Sequence, residues 1–329
     1  MASRQVLCNT PEGLYCPAGD FYIDPWRSVR HAVITHAHSD HARPGMGTYT
    51  AHPLTIPILR MRIGETITAR PLEYGEQIRI KDATVSLHPA GHVIGSAQVR
   101  VEVDGEVWVV SGDYKRQEDP YAAPFEVVPC DVFITESTFG VPVYKWESNE
   151  RLSHDMNAWW RSNSERGITS VIYAYSLGKA QRVMGSVDTT IGPIFTHGSV
   201  ESMNAVFRQA GISLPNSNLL DNKVDKDLVR GSLIIAPGST DNSPWLRQAE
   251  PYASAVASGW MAIRANRRRR AADRGFAMSD HVDWPDLVRT VKETGAKRIL
   301  VTHGYTAIFV RWLYEQGYAA QELHTMFGT

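Results

Sequence analysis

The chain has little cysteine: three residues in 329, Cys8, Cys16 and Cys130. The odd number and the absence of a Cys-x-x-Cys spacing argue against a disulfide framework, and free thiols in a reducing cytosol are the simple reading. Net charge is also scarce. Lys plus Arg is 34 and Asp plus Glu is 35, a formal balance of -1. Such a balance does not advertise nucleic-acid binding and leaves only a local basic patch for that purpose. There is no apolar run of about 18 residues, and the opening "MASRQVLCNTPEG" has no apolar signal core. A cytoplasmic protein without membrane association is expected. Internal repeats and low-complexity segments are lacking too. What is left is an ordinary globular composition, with 43% hydrophobic and 21% charged residues. The length allows one large or two medium domains.

What the chain does have is histidine, concentrated. The stretch "RHAVITHAHSDHARPG", residues 31–46, holds four of the twelve histidines. His36 and His38 flank a single residue and can face the same way in an extended turn. Asp40 and His41 follow at once and can face a second point. Imidazole and carboxylate together suit zinc and related divalent ions. Four such groups in so short a turn cannot easily all reach one ion, which points to two ions side by side. A pair of that kind activates a water and stabilises a leaving oxygen.

Short apolar strands alternate with helical segments along the chain. "HAVIT" runs into the histidine cluster. "TVSLHPAGHVIGSA" is a strand followed by a Gly-marked loop with His92. "QVRVEVDGEVWVVSGD" predicts a hairpin about Asp104-Gly105, its second strand ending at Asp113. "DVFITEST" ends near Glu136, and "RILVTHGY" near His303. "TSVIYAY" and "GSLIIAPG" are two more buried-looking strands, and "SLGKAQRVMGSV" a helix after a Gly turn. His36, His92, Asp113, Glu136 and His303 thus share one feature. Each lies within a few residues of the carboxyl end of a short apolar strand, the edge where layered α/β proteins build their sites.

"THAHSDH" resembles the signature of the metallo-β-lactamase fold superfamily. That resemblance implies an α/β fold, a four-layer αββα sandwich, and the rest of a ligand set. "PAGHVIGS" offers His92, "VVSGDY" offers Asp113 as the bridge between two ions, and "FYIDPW" offers Asp24 as the acid that orients ligands from behind. Asp20 is a weaker candidate for that last role. "ITESTFG" with Glu136, "FAMSDHVDWPDL" with His281 and "RILVTHGY" with His303 resemble the three additional motifs of β-CASP nucleases, and "IYAYSLGKAQRV" resembles the opening of their inserted domain. The resemblance implies a metallo-β-lactamase domain in residues 1–145 and 271–329, with a compact β-CASP-like α/β insertion at 146–270. His36, His38, His92 and Asp113 would hold one divalent ion. Asp40, His41, His303 and Asp113 would hold the second. Zinc is the expected metal and manganese the alternative. Asp40, Asp24, Glu136 and His281 would serve the chemistry, His281 at the leaving oxygen and Glu136 as a partner that orients a histidine.

Substrate contacts are read more locally. The helix start at Lys179 lacks the first glycine of a phosphate-loop motif, yet a helix N-terminus can hold a backbone phosphate. Ser239 and Thr240 in "PGST" are similar candidates. Arg267, Arg268, Arg269 and Arg270 form the one basic run, a solvated face or a nucleic-acid contact. "GLYCPAGDFYIDPW" with "VITHAHSDHARPG" resembles bacterial DNA-ligase-associated exonucleases. This implies a DNA exonuclease that works on single strands or ends in repair, with a DNA ligase and a helicase as partners. An RNA-processing nuclease is the alternative, because a histidine at the third motif is similar to RNA-acting members. A small-molecule metallo-hydrolase is a third reading.

Overall fold

A computed structural model describes residues 5–265 and 272–325. The run Arg267 to Arg270 lies outside the described residues. The chain divides into two compact units, one built from the chain up to Tyr144 and from His281 onward, the other from Lys145 to Asp280. The return to the first unit, expected at residue 271, comes ten residues later. The reason is a strand, Arg274–Phe276, that still pairs in the second unit's sheet.

The first unit holds two sheets. One runs, in spatial order, β1 (Cys8–Thr10), β2 (Gly13–Cys16), β3 (Phe21–Ile23), β4 (His31–Val33), β5 (Thr48–Ala51) and β6 (Ala69–Pro71). The helix α1 (Ile56–Ile63) follows β5 and buries Ile56, Ile58 and Leu59. The other sheet runs, from β11 (Val132–Ser137) to one edge, through β10 (Glu106–Val110), β9 (Ala97–Val103), β8 (Ala83–Pro89) and β7 (Gln77–Ile80). On the far side of β11 come β18 (Arg298–Gly304) and β19 (Ala319–Glu322).

Period-two alternation decides the layers. Trp108 and Val110 of β10 pack with Leu14, Phe21 and Val33 of the facing sheet. Val109 between them packs on the opposite side with Val291 and Phe309 of the helices Trp284–Thr294 and Thr306–Glu315. Leu300 of β18 faces the inter-sheet core, whereas Ile299 and Val301 face those helices. The second sheet is therefore buried on both faces, which is why its central strands read as near-continuous apolar runs. Each fully buried large apolar side chain of this kind contributes about 1.5–3 kcal/mol. The result is the α/β sandwich that the sequence led us to expect.

The second unit carries one sheet in the order β14 (Asn218–Leu219), β13 (Ile194–Thr196), β15 (Leu233–Ala236), β12 (Thr169–Tyr173), β16 (Tyr252–Ala257) and β17 (Arg274–Phe276). Every pairing in it is parallel. The helix α2 (Asn149–Glu165) starts at a Ser148 cap that accepts the Arg151 N–H. It buries Leu152, Met156 and Trp160, spaced four apart along one face. The indole of Trp160 donates to the Gly231 carbonyl at 3.1 Å. The helix α3 (Lys179–Ser186) opens after Gly178, whose φ of 86° suits glycine, and the Gln181 side chain accepts the Gly178 N–H at 2.8 Å.

Candidate metal centre

Strand ends of the first unit bring the predicted groups together. β4 stops at Val33, and the chain turns tightly through His36 to His41, with the Ala42 N–H donating to the His38 carbonyl at 2.9 Å. His92 sits in the loop after β8, and its N–H donates to Ser96 Oγ at 3.1 Å. Gly91 beside it has φ 73°, and a Cβ there would lie 2.1 Å from the Lys115 carbonyl oxygen, so only glycine fits. Asp113 follows β10. Glu136 and His303 lie near the carboxyl ends of the paired strands β11 and β18. His281 opens the segment before the helix Trp284–Thr294.

Asp113 is the hub. Its Oδ2 is 3.5 Å from His36 Nε2, 3.7 Å from His92 Nε2 and 3.9 Å from His281 Nδ1. Its Oδ1 is 3.5 Å from His41 Nε2. His38 Nδ1 lies 3.0 Å from both His36 Nε2 and His92 Nε2. Donor atoms of His36, His38, His92 and Asp113 all fall within 4.8 Å of one another. Tetrahedral ligands about 2.1 Å from zinc stand roughly 3.4 Å apart, so this spacing suits one ion. On the other side of Asp113, His41 Nε2 is 3.8 Å from Asp40 Oδ2, and the His41 and His303 rings stack at 5.5 Å.

A second layer fixes the rings. Asp24 accepts His41 Nδ1–H at 2.7 Å, the Thr35 N–H at 2.8 Å and the Thr35 hydroxyl at 2.5 Å. Thr35 Oγ1 also lies 3.1 Å from His36 Nδ1. Thr35 is the residue that sequence reasoning passed over. Its position directly before His36 was the available signal. Gly112 shows how closely it is packed, because a Cβ there would meet the Thr35 side chain at 2.7 Å. Asp20 lies outside this set and pairs with Tyr15 and Lys81.

The electrostatics and one buried atom test whether the site suits cations. With Nδ1 donating to Asp24, the other ring nitrogen of His41, Nε2, faces Asp113 at 3.5 Å and is buried without a hydrogen-bond partner. Such a group is costly unless a cation or proton meets it. Burial, with His41 and His92 close by, holds His36 well below the ordinary imidazole range. Burial likewise lowers His303. Burial opposes charge on His41 too, but Asp113 and Asp24 together hold it well above that range. Asp113 is buried, which alone would favour its neutral form, yet His41 and His281 keep it well below the usual carboxylate range. Lone pairs on the lowered His36 and His303 beside an ionised Asp113 suit a divalent ion, and His41 would give up its proton on binding one.

Glu136 is 1% exposed and accepts the Tyr114 N–H at 2.8 Å. His281 Nδ1 lies 2.9 Å from its Oε2 and 3.1 Å from its Oε1. That is a hydrogen-bond geometry, with the imidazole N–H donating to the carboxylate.

The predicted substrate contacts belong to the second unit. Lys179 is 5% exposed and sits 3.2 Å from Asp280 Oδ2, so its charge is committed to a buried partner rather than turned to solvent. Thr240 is buried, its hydroxyl donating to the Pro237 carbonyl at 2.7 Å. Ser239 lines a cavity of about 440 Å³ at the carboxyl edge of the parallel sheet, with Tyr173, Tyr175, Asp241 and Trp260. Among the described residues no helix is long and apolar enough to cross a membrane.

No family model matches the chain. Curated relatives do. A probable DNA ligase of Opitutus terrae is 29% identical over 311 residues, 94% of this chain and 30% of that protein. An endoribonuclease of Gibberella zeae is 26% identical over 219 residues, 61% of this chain and 25% of that one. An RNase J-like protein of Methanocaldococcus jannaschii is 25% identical over 212 residues, 55% of this chain and 50% of that one. The chain thus spans half or less of the length of these relatives. Among solved structures, a protein of unknown function from Enterococcus faecalis has a similar fold, with a TM-score of 0.62 at 13% identity over 91% of this chain and 80% of that one.

Proposed function

We propose that the chain is a metal-dependent nuclease of the β-CASP branch of the metallo-β-lactamase fold and that it shortens DNA from an end, a reading supported by its likeness to the nuclease-named and ligase-named relatives. The observation that carries this reading is Asp113, one carboxylate set against four histidines with an oxygen turned to each of two donor sets. His36, His38 and His92 with Asp113 would hold one divalent ion, and Asp40, His41 and His303 with Asp113 the other. Zinc or manganese there would supply the positive charge that acidifies a water and neutralises phosphoryl oxygens.

The chain's own residues do the positioning. Asp24 and Thr35 set the His41 and His36 rings and their tautomers. Glu136 accepts the proton of His281 Nδ1, so Nε2 is the nitrogen that gives a proton to the leaving oxygen. Glu136 is itself held by the Tyr114 N–H, which keeps the pair in register.

DNA is favoured because the relative matched over 94% of the chain is named a probable DNA ligase, whereas the two ribonuclease-named relatives are matched over 61% and 55%. A nuclease that trims an end would prepare it for sealing. A ligase and a helicase are the partners that this role implies. The names of those two relatives, and the histidine at position 303, favour RNA as the second reading. Matched DNA and RNA strands labelled at the 5′ or the 3′ end distinguish the two. Faster loss of DNA supports the proposal, faster loss of RNA replaces it with the second reading, and cleavage of thioesters or lactams alone rejects both.

A further inference from the structure

The inserted unit grips the chain immediately before His281. Asp280 Oδ2 lies 3.2 Å from Lys179 Nζ, and its Oδ1 lies 3.8 Å from Arg182 Nη1. Arg182 also donates to the Ser279 carbonyl oxygen and, through Nη2 at 2.8 Å, to Asn149 Oδ1. Lys179, Arg182, Ser279 and Asp280 are each no more than 5% exposed. Both cations stand one turn apart on α3, so one rigid helix holds both oxygens of one carboxylate. Buried ion pairs are a poor way to gain stability, since apolar packing of the same volume does as well. What they supply is direction and a fixed register. On the other side of His281, Val282 is buried, and Asp283 caps the following helix by accepting the Asp286 N–H at 3.1 Å. His281 is thus the one partly exposed position in a segment fixed at both ends.

We propose that Lys179 and Arg182, acting through Asp280, are positioning residues that hold the His281 imidazole in register with Glu136. The tolerance is narrow. The His281–Glu136 contact is 2.9 Å, and a slip of one residue along the chain moves a side chain by about 3.8 Å. A shift of about 1 Å at a reacting group can lower turnover on the order of a hundredfold. This assignment also gives the insertion a task in the chemistry, besides any contact with a polymer. It rests on the reading of His281 as the proton donor.

The test is the charge-neutral double variant Lys179→Met/Asp280→Asn, made in the natural chain and in a His281→Ala background. Turnover is measured on a dinucleotide phosphodiester, whose alkoxide leaving group needs the proton and which is too short for distant polymer contacts. In the natural background kcat should fall about 10- to 100-fold with KM and metal content unchanged. In the His281→Ala background the same pair of substitutions should change kcat by less than about twofold, because the device acts through the ring already removed. An equal fall in both backgrounds, an unchanged kcat in the natural one, or a rise in KM alone overturns the proposal. If the double variant does not fold, Asp280→Glu keeps the charge, lengthens the arm by one methylene and is read in the same two backgrounds. A second readout does not depend on activity: the His281 Nδ1–H resonance, assigned by its loss in His281→Ala, should move in the double variant and return with Lys179→Arg. A resonance that stays in place overturns the inference. Should the natural chain hydrolyse no phosphodiester, the nuclease reading falls and the resonance still decides this one.

Discussion

Asp24→Asn changes almost no volume and should weaken one metal ion selectively. The carboxylate is acceptor-only, and all three of its contacts use that property: the Thr35 N–H at 2.8 Å, the Thr35 hydroxyl at 2.5 Å and His41 Nδ1–H at 2.7 Å. An amide cannot satisfy them together. If its oxygen keeps the Thr35 N–H, its NH2 faces His41 Nδ1 and drives the imidazole proton to Nε2, the atom proposed to bind metal. If the amide turns over, two donors face each other at Thr35. Either outcome leaves one buried hydrogen bond unmade, at about 1–3 kcal/mol. At about 1.4 kcal/mol per tenfold, that is a loss of roughly 5- to 150-fold in affinity. The loss should fall most on the ion that Asp40, His41 and His303 would hold, because Asp24 bonds His41 directly and reaches His36 of the other set only through Thr35. Competition with a chromophoric chelator, followed as a two-step isotherm, reads this directly. One step should weaken and the other should stay within about threefold. Two unchanged steps, or two steps weakened together, would refute the assignment of His41 to a separate ion.

The remaining predictions concern the proton, the leaving group and the polymer. His281→Ala should lower turnover on the order of a hundredfold with two metal equivalents retained. Loss of metal would instead make His281 a ligand. Metal uptake at pH 7.5 should release a proton, because Asp113 and Asp24 raise His41 above the ordinary imidazole value and keep it protonated in the metal-free protein, whereas His36 is already neutral. Affinity should therefore fall as pH drops. Calorimetric heats that do not vary with the ionisation enthalpy of the buffer would contradict this. Replacing Arg267, Arg268, Arg269 and Arg270 with serine should weaken DNA binding and flatten its salt dependence, by a slope of about 0.9 for each phosphate no longer neutralised. Hydrolysis of bis-nitrophenyl phosphate should stay as it was, and a matching fall there would show that the run serves folding instead.

The sandwich and the clustering of His and Asp donors were legible because both are written locally. "THAHSDH" places four donors in one turn, and the remaining donors each announce themselves at the end of an apolar strand. Two things were not legible, for a shared reason. Thr35 looks like an ordinary strand-end residue until Asp24, seventeen residues before His41, folds back onto it. Lys179 looks like a free cation at a helix start until Asp280, a hundred positions later, closes over it. Pairings across such separations depend on sheet order, and no local pattern carries that. The end of the insertion was misjudged likewise, since β17 has only three residues and gains its meaning from pairing with β16.

The most direct test of the account is one measurement on protein purified without chelator, then stripped, then reloaded. End-labelled DNA is presented to each form while bound metal is counted. The account predicts close to two equivalents of zinc or manganese in the active forms, shortening of the DNA from an end, and silence in the stripped form and in Asp113→Ala at every metal concentration. Hydrolysis that persists in excess chelator, or full activity in Asp113→Ala, would contradict it.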